Sequence, residues 1–281
     1  MRYGYEETAR RAHLPASAPM RMLCGVDPTC SSQGAVNRAH ALADALDATL
    51  TLVHVLPEDG RVAAFPSVAG QFEVRVHAGE LVPTVAGIAR ESRTDLIVFG
   101  AAVARRPAPL VEPAAEQLAH LGHCPVLIVR RRSAAPYRAV LVAAEHSPVF
   151  DHIIRAAGAW RLLQRNAVVI MHGFETGHRG LLAGAGLEAS AARRNLEEWE
   201  LAAVRRLRRE LDDAGVVSDQ FQMVFHPART RRQLQQEVRR LQPDLLVVAT
   251  ADRSALERVM RPRVGNDPLR HNQCDILLGP M

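Results

Sequence analysis

Lysine is absent from this 281-residue chain, so all 35 of its basic side chains are arginine. Aromatic residues supply only 4% of the sequence against 48% for hydrophobic residues overall, so a core must be built from alanine, valine and leucine. No apolar run approaches the roughly 20 residues that a membrane-spanning helix needs. The first 20 residues also lack the apolar stretch of a secretion signal. We therefore expect a cytoplasmic protein with no membrane partner.

Paired cysteine motifs are also missing. Cys24, Cys30, Cys124 and Cys274 have no CxxC spacing, and free thiols in a reducing compartment are the expected state. The net charge of +5 raises the question of nucleic-acid binding, because arginines cluster at 130–132, 205–210 and 229–232. The cluster at 205–210 lies in a helical pattern rich in acidic residues, and no aromatic stacking platform accompanies it. A solvated helix face is the favoured interpretation of this cluster, and nucleic-acid binding is the third interpretation of the whole chain, after two that are given below.

The chain contains an internal repeat. "FEVRVHAGE" at 72–80 aligns with "FQMVFHPAR" at 221–229, and the separation of 149 residues continues through Asp95 and Asp244. Nearer the start of each half, Asp27 aligns with Glu145 at a separation of 118 residues. The difference of 31 residues predicts an insertion in the second half, with the pattern of a long amphipathic helix near 187–214.

The repeat predicts two domains, at 21–132 and 136–281, after a loose tail formed by residues 1–20. The first domain is expected to lack the inserted helix. In each domain, short apolar runs without period-two alternation are separated by helical patterns, which is typical of parallel strands covered on both faces. The pattern therefore favours a Rossmann-like α/β fold with a doubly wound parallel sheet in each half.

The sequence resembles the universal stress protein family. The matching features are a first strand followed by Asp27, "TLVHV" at the second strand, "GE" after the third, "DLIVFG" at the fourth and "HCPVLIV" at the fifth. The resemblance implies two tandem five-stranded parallel sheets, each of strand order 3-2-1-4-5. It also implies that the fifth strands, near 125–130 and 274–278, pair within the chain as an intramolecular pseudo-dimer. A further homodimer is left open, and no protein partner is identified.

The resemblance also bears on ATP. Family members that bind ATP carry, after the fourth strand, Gly, two residues, Gly, nine residues, Gly, and then Ser or Thr. Those positions hold Gly100, Val103, Pro113 and Ala114 in the first half, and Ala249, Asp252, Pro262 and Arg263 in the second. Only Gly100 fits the pattern. Val103 would hinder close approach of the backbone to a phosphate, and a proline has no N–H to donate. No cofactor and no tight ATP binding are therefore expected.

The family implies a role in the cellular stress response through binding or regulation, and no catalytic group stands out in the sequence. The alternative is an adenine-nucleotide sensor or weak ATPase that uses the first half. Its candidate nucleotide-binding residues are Asp27, Gly79, Gly100, Arg105 and Arg106. The second alternative is an arginine-rich nucleic-acid binder.

Histidines recur at the predicted strand ends of the second half. His146, His172 and His226 could converge with Glu145, and imidazoles with a carboxylate suit zinc. A histidine in "LVHV" is ordinary in the family, however, so a structural role is favoured and no metal is expected.

Overall fold

In the part of the chain that it describes, the computed structural model shows ten strands in one sheet, with helices between several of the strands. It describes residues 19–26, 31–56, 73–100, 113–121, 123–144, 148–163, 167–173, 198, 201–202, 204–206, 208–209, 211–212, 221–226, 231–249 and 274–279. Within these residues, no helix is long and apolar enough to cross a membrane.

The described residues of the first half form five strands and three helices. They are β1 (Arg21–Gly25), α1 (Ser31–Leu46), β2 (Thr49–Leu56), β3 (Glu73–Ala78), α2 (Leu81–Glu91), β4 (Leu96–Gly100), α3 (Pro113–Leu121) and β5 (Val126–Val129). The second half repeats the pattern with β6 (Ala139–Ala144), α4 (Pro148–Ala159), β7 (Ala167–Gly173), β8 (Phe221–His226), α5 (Arg231–Leu241), β9 (Leu245–Ala249) and β10 (Asp275–Leu278).

The strand order corrects one part of the prediction. The order is β3-β2-β1-β4-β5-β10-β9-β6-β7-β8, so each half has the predicted order 3-2-1-4-5, but the halves form one continuous sheet and not two separate ones. Strands within a half are parallel, whereas β5 and β10 pair antiparallel, with Ile128 opposite Ile276 and Leu127 opposite Leu277. This pairing satisfies the backbone groups that two separate sheets would leave exposed at both inner edges.

Strand registers repeat between the halves. Thr51 lies opposite Glu73 in the first half, and Val169 lies opposite Gln222 in the second. These residues are separated by the same 118 and 149 positions that align the two sequences. The repeat in the sequence is therefore also a repeat in hydrogen-bonded pairing.

The core covers both faces of the sheet and runs across the join. Leu127 and Leu277 belong to the cluster on one face, together with residues of α1 and α4. Ile128 and Ile276 belong to the cluster on the opposite face, with residues of α2, α3 and α5. Every residue of β5 and β10 is buried, and all of them except Asp275 are apolar, as expected of strands covered on both sides.

The predicted insertion is described only in part. The described residues between 198 and 212 are helical, and Leu211 is fully buried in the core cluster on the α1 face. Phe221 and Met223 of β8 pack against the same cluster. The limits of this helix and the boundaries of the two domains stay predictions.

The join between β5 and β10 should be essential for stability. We expect Leu277→Ala to lower the free energy of unfolding by about 2–5 kcal/mol, because it removes apolar contacts and leaves a cavity. Leu201→Ala is the matched control, since Leu201 is 50% exposed whereas Leu277 is 1% exposed. The control should change the free energy by no more than about 0.5 kcal/mol. Equilibrium urea unfolding makes the comparison, and equal losses in both variants would contradict the burial of the join.

Candidate functional site

The carboxyl ends of β1 and β4 mark the point where the strand order of the first half reverses. The chain leaves β1 for β2 and β3 on one side and returns to β4 and β5 on the other. Open α/β sheets bind ligands in the crevice that such a reversal creates. Gly25 and Phe99 lie opposite each other at this end of the paired strands. This is the candidate ligand site.

An aromatic ring lies beside the candidate site and packs against the core cluster of the α2 and α3 face. A Cβ atom added to Gly25 would collide with the ring of Phe99, so the ring lies directly against the β1 backbone. In the second half the corresponding pair is Ala143 and Val248, which places a smaller side chain at the position of Phe99. The first half therefore has a bulky apolar group where its two central strands end.

Gly79 has a backbone reason to be glycine. Its φ of +133° is one that side-chain-bearing residues rarely adopt, and its N–H donates to the carbonyl of Leu56 at 3.1 Å. Gly79 follows β3, whereas Gly100 ends β4, and two strands lie between β3 and β4. At normal strand spacing these glycines are about 14 Å apart. The structure therefore does not bring Gly79 next to Gly100.

The other proposed nucleotide residues lie outside the described part of the chain: Asp27, Arg105 and Arg106. The helix that would present backbone N–H groups to a phosphate is α3, and it begins at Pro113. Proline suits the first turn of a helix because its fixed φ is already helical, but it cannot donate a hydrogen bond there. The start of α3 therefore lacks one N–H donor that a phosphate site could use.

In the first half, one of the recurrent histidines, His54, has a structural role. His54 is buried, and its Nδ1 lies 2.8 Å from the carbonyl oxygen of Val26, so it connects the ends of β2 and β1. His172 is the counterpart of His54 in β7, and His226 ends the adjacent strand β8. His146 and Glu145 lie outside the described residues. Among the residues that the structure describes, no three potential ligands group together around a metal position.

A second cluster, which the sequence analysis missed, joins the two halves. Asp275 is the first residue of β10 and is fully buried. One of its carboxylate oxygens accepts hydrogen bonds from the backbone N–H groups of Arg130 and Arg131, at 2.8 and 2.9 Å. Its other oxygen accepts a 2.7 Å hydrogen bond from the hydroxyl of Tyr137. The last strand is therefore tied to the linker that connects the halves.

Arg38 completes this junction cluster, which consists of Arg38, Tyr137 and Asp275. Its Nε lies 3.7 Å from the carboxylate of Asp275, and its guanidinium carbon lies 4.2 Å above the ring of Tyr137. The two terminal nitrogens of Arg38 donate to three successive linker carbonyls, those of Ser133, Ala134 and Ala135, at 2.8–3.0 Å. A helix of the first half, the linker and the last strand of the second half therefore meet at one buried ion pair.

Burial dominates the ionisation of this cluster. Burial raises the pKa of Asp275 above its ordinary 3.8, although the N–H of Arg131, the hydroxyl of Tyr137, the N–H of Arg130 and the charge of Arg38 all oppose the rise. Burial and the nearby carboxylate also raise the pKa of Tyr137 well above its ordinary value. Tyr137 therefore keeps its proton and serves as a donor to Asp275.

The junction cluster has no counterpart in the first half at the position of Asp275. The position that corresponds to Asp275 in the first half is Pro125, in "HCPVLIV" against "QCDILLG". The sequence contains one signal of this cluster, which is the single acidic residue in a short apolar strand. A carboxylate in a strand that is covered on both faces needs buried partners, so this residue indicates that such partners exist. Part of the basic run at 130–132 has a structural role in this cluster. The backbone N–H groups of Arg130 and Arg131 donate to Asp275, and the guanidinium of Arg131 lies 3.5 Å from the carboxylate of Asp244.

Comparison with known proteins agrees with this architecture. The sequence model of the universal stress protein family matches residues 136–280, just over half of the chain. The chain therefore belongs to the universal stress protein family. No curated protein matches it.

Two solved structures have a similar fold. A universal stress protein from Archaeoglobus fulgidus is 14% identical, with a TM-score of 0.60 over 92% of this chain and 97% of that chain. A protein of unknown function from Pseudomonas aeruginosa is 15% identical, with a TM-score of 0.57 over 93% of this chain and 92% of that chain. At this level of identity, the likeness shows the fold alone.

The raised pKa of Asp275 predicts a specific pH dependence of stability. The folded state holds this proton more tightly than the unfolded state, so the stability that Asp275 contributes is present below pH 3.8 and is lost as the pH rises through the folded-state pKa. Asp275→Asn has no titrating group there. The free energy of unfolding of the wild type, minus that of Asp275→Asn, should therefore fall as the pH rises above 3.8.

Urea unfolding at a series of pH values measures this difference. Asp47→Asn, at an exposed position with a φ of 52° that asparagine tolerates, gives the background effect of removing one carboxylate. A difference that rises with pH would mean that the ion pair and hydrogen bonds of the junction cluster outweigh the burial of Asp275.

Proposed function

We propose that this chain is a tandem universal stress protein that acts in the stress response by binding or regulation, without tight ATP binding and without catalysis. Family membership suggests the stress-response role. The observation that carries the rest of the proposal is the contact between Phe99 and Gly25, which places an aromatic ring at the strand-order reversal. An apolar ring offers no donor to a phosphate at the place where α/β sheets usually bind one.

The start of α3 supports the same proposal. Pro113 removes one backbone N–H from the first turn, and Ala114 has no hydroxyl to offer to a phosphate or a magnesium ion. A hydrogen bond to a charged group is worth about 1.5–3 kcal/mol, so losing several donors should weaken nucleotide affinity by orders of magnitude.

Among the described residues, the acid and the phenol with raised pKa values support a non-catalytic role. The acid and the phenol with raised pKa values, Asp275 and Tyr137, bind the linker and β10 and do not lie at the carboxyl ends of β1 and β4. Perturbed groups often mark active sites, but structural ion-pair networks also perturb pKa values. In this protein the perturbation accompanies a structural junction.

Three residues of the first half favour the nucleotide-sensor alternative. Gly79, after β3, has a backbone conformation that favours glycine, and Gly100 is the first glycine of the phosphate pattern. Asp27 also remains in the sequence at the position that resembles the adenine-contacting acid of the family. A sensor of this kind would use the first half and would bind weakly.

Titration calorimetry with ATP and magnesium tests the proposal. We expect no tight binding at one site per chain, because the phosphate pattern is lost in both halves. Micromolar binding would contradict the proposal.

Two variants then locate any binding that is found. Loss of binding in Asp27→Ala with retention in Glu145→Ala, the matched position of the second half, would establish the sensor alternative in the first half. Phe99→Val, which copies Val248 of the second half, tests the ring itself. If the ring obstructs nucleotides, this variant should bind ATP more tightly than the wild type.

A further inference from the structure

The join between β5 and β10 is locally symmetric. Leu127 lies opposite Leu277, and the two leucines hold the same position in "HCPVLIV" and "QCDILLG". Next to them, Ile128 lies opposite Ile276. Antiparallel pairing between counterparts is self-complementary, so each of these strands could also pair with the same strand of a second copy. Pairing within one chain therefore needs a cause besides the shape of the strands.

The apolar residues of the two strands do not supply this selection. If β10 paired with β10 of a second copy about Leu277, Ile276 of each copy would face Leu278 of the other, and apolar side chains would again meet at the join. Asp275 is the only charged residue in either strand, and Pro125 stands at the corresponding place before β5. The choice of partner therefore depends on the surroundings of Asp275.

The carboxylate of Asp275 has its partners in the first half and in the linker between β5 and β6. The N–H groups of Arg130 and Arg131 donate to one oxygen, and the hydroxyl of Tyr137 donates to the other. Arg38, in α1, places its Nε 3.7 Å from the carboxylate. All four partners precede β6 in the chain.

The second half has no counterpart of the charge of Arg38. Helices α1 and α4 align at the separation of 118 residues, and Ala39 and Ala157, which correspond at that separation, are both fully buried. At the same separation, Ala156 stands in place of Arg38. A β10–β10 pair would therefore bring no guanidinium from α4 to Asp275.

A backbone donor would be lost as well. The numbers of Leu127 and Leu277 differ by 150, so the residue that follows β10 at the place of Arg130 is Pro280, which has no N–H to donate. Such a pair would bury the carboxylate of Asp275 without its counter-charge and without this donor, and an unpaired buried charge is very costly. A β5–β5 pair would also remove the linker donors, because it separates β5 from β10.

We propose that Asp275 selects the partner of β10: it directs this strand to β5 of the same chain and prevents the strands at the join from pairing between two copies. A buried polar residue that permits one pairing among several apolar alternatives has the same effect in coiled coils. The linker also favours pairing within the chain, because it raises the effective concentration of one half near the other. Asp275 adds a discrimination that does not depend on protein concentration.

Disulfide trapping identifies which strands pair. Directly opposite residues in antiparallel strands have Cα atoms about 4.5–5.5 Å apart, within the range that a disulfide spans. In a Cys30→Ser background, Leu277→Cys alone links two copies where β10 pairs with β10. Leu127→Cys/Leu277→Cys reports the pairing within one chain, because its disulfide leaves the protein a monomer. The other native cysteines are buried: Cys24, Cys124 and Cys274.

The junction cluster is then replaced by apolar residues, as Arg38→Met/Tyr137→Phe/Asp275→Val. Apolar replacement of a buried ion pair often leaves stability unchanged or raises it, so this variant should fold. Each protein is refolded from urea at one high concentration and then oxidised, and non-reducing electrophoresis measures the linked dimer of Leu277→Cys. We expect the apolar variant to give a linked fraction at least about tenfold larger than the native cluster gives. The linker is the same length in both, so the ratio reports the cluster.

Two further variants serve as controls. Asp244 also accepts a hydrogen bond from the linker, from the N–H of Arg138 at 2.7 Å, but it precedes β9 and does not lie at the join. Asp244→Asn should therefore leave the linked fraction unchanged. Asp275→Asn keeps the shape of the side chain and removes its charge, so it should raise the linked fraction in the same direction as the apolar variant but by less.

Equal linked fractions with the native and the apolar cluster would overturn the proposal. The same conclusion would follow if Leu277→Cys linked two copies as readily as Leu127→Cys/Leu277→Cys links one chain while Asp275 is present. If the apolar variant does not refold, an unchanged linked fraction in Asp275→Asn overturns the proposal, and an increased fraction supports it.

Discussion

The buried ion pair between Arg38 and Asp275 is the contact on which the arrangement of the two halves depends. Asp275 belongs to the last strand, Arg38 to the first helix, and the hydrogen bonds of both reach the linker between the halves. An isolated charge would be very costly at either of these buried positions. The charge of each side chain therefore offsets the cost of burying the other. Their hydrogen bonds to the linker hold the linker in one path.

This constraint explains why the molecule is one sheet and not two. Tyr137 and the N–H groups of Arg130 and Arg131 fix the chain between β5 and β6 against the start of β10. With the linker held in this way, β5 and β10 lie side by side, and the apolar clusters on both faces continue across the join. The halves therefore share a core on both faces of the sheet.

Much of the fold could be predicted from the sequence because it follows from local patterns. The separations of 118 and 149 residues reappear as strand registers, such as Thr51 with Glu73 and Val169 with Gln222. The continuity of the sheet could not be predicted in this way, because an apolar run such as "VLIV" shows that β5 is buried but not what covers its edge. The prediction of two separate sheets was wrong for that reason.

The candidate site was predictable only in part. The loss of the phosphate pattern is visible in the sequence, whereas the packing of Phe99 on Gly25 depends on which strands become neighbours. The junction cluster was missed because its members are far apart in the sequence. Arg38 lies in a helix, Tyr137 in the linker and Asp275 in a strand. Only the acidic residue in "CDILL" signalled it.

Because they share a core and a buried ion pair, the two halves should open together as one body, and native-state hydrogen exchange tests this most directly. The N–H groups of Arg130 and Arg131, which lie in the linker, should exchange as slowly as those of Ile128 and Ile276, because all four are released only by global unfolding. If the linker amides exchanged at the rate of an exposed turn, or if β4 and β9 became exposed with different opening free energies, the halves would be independent and the account would be wrong.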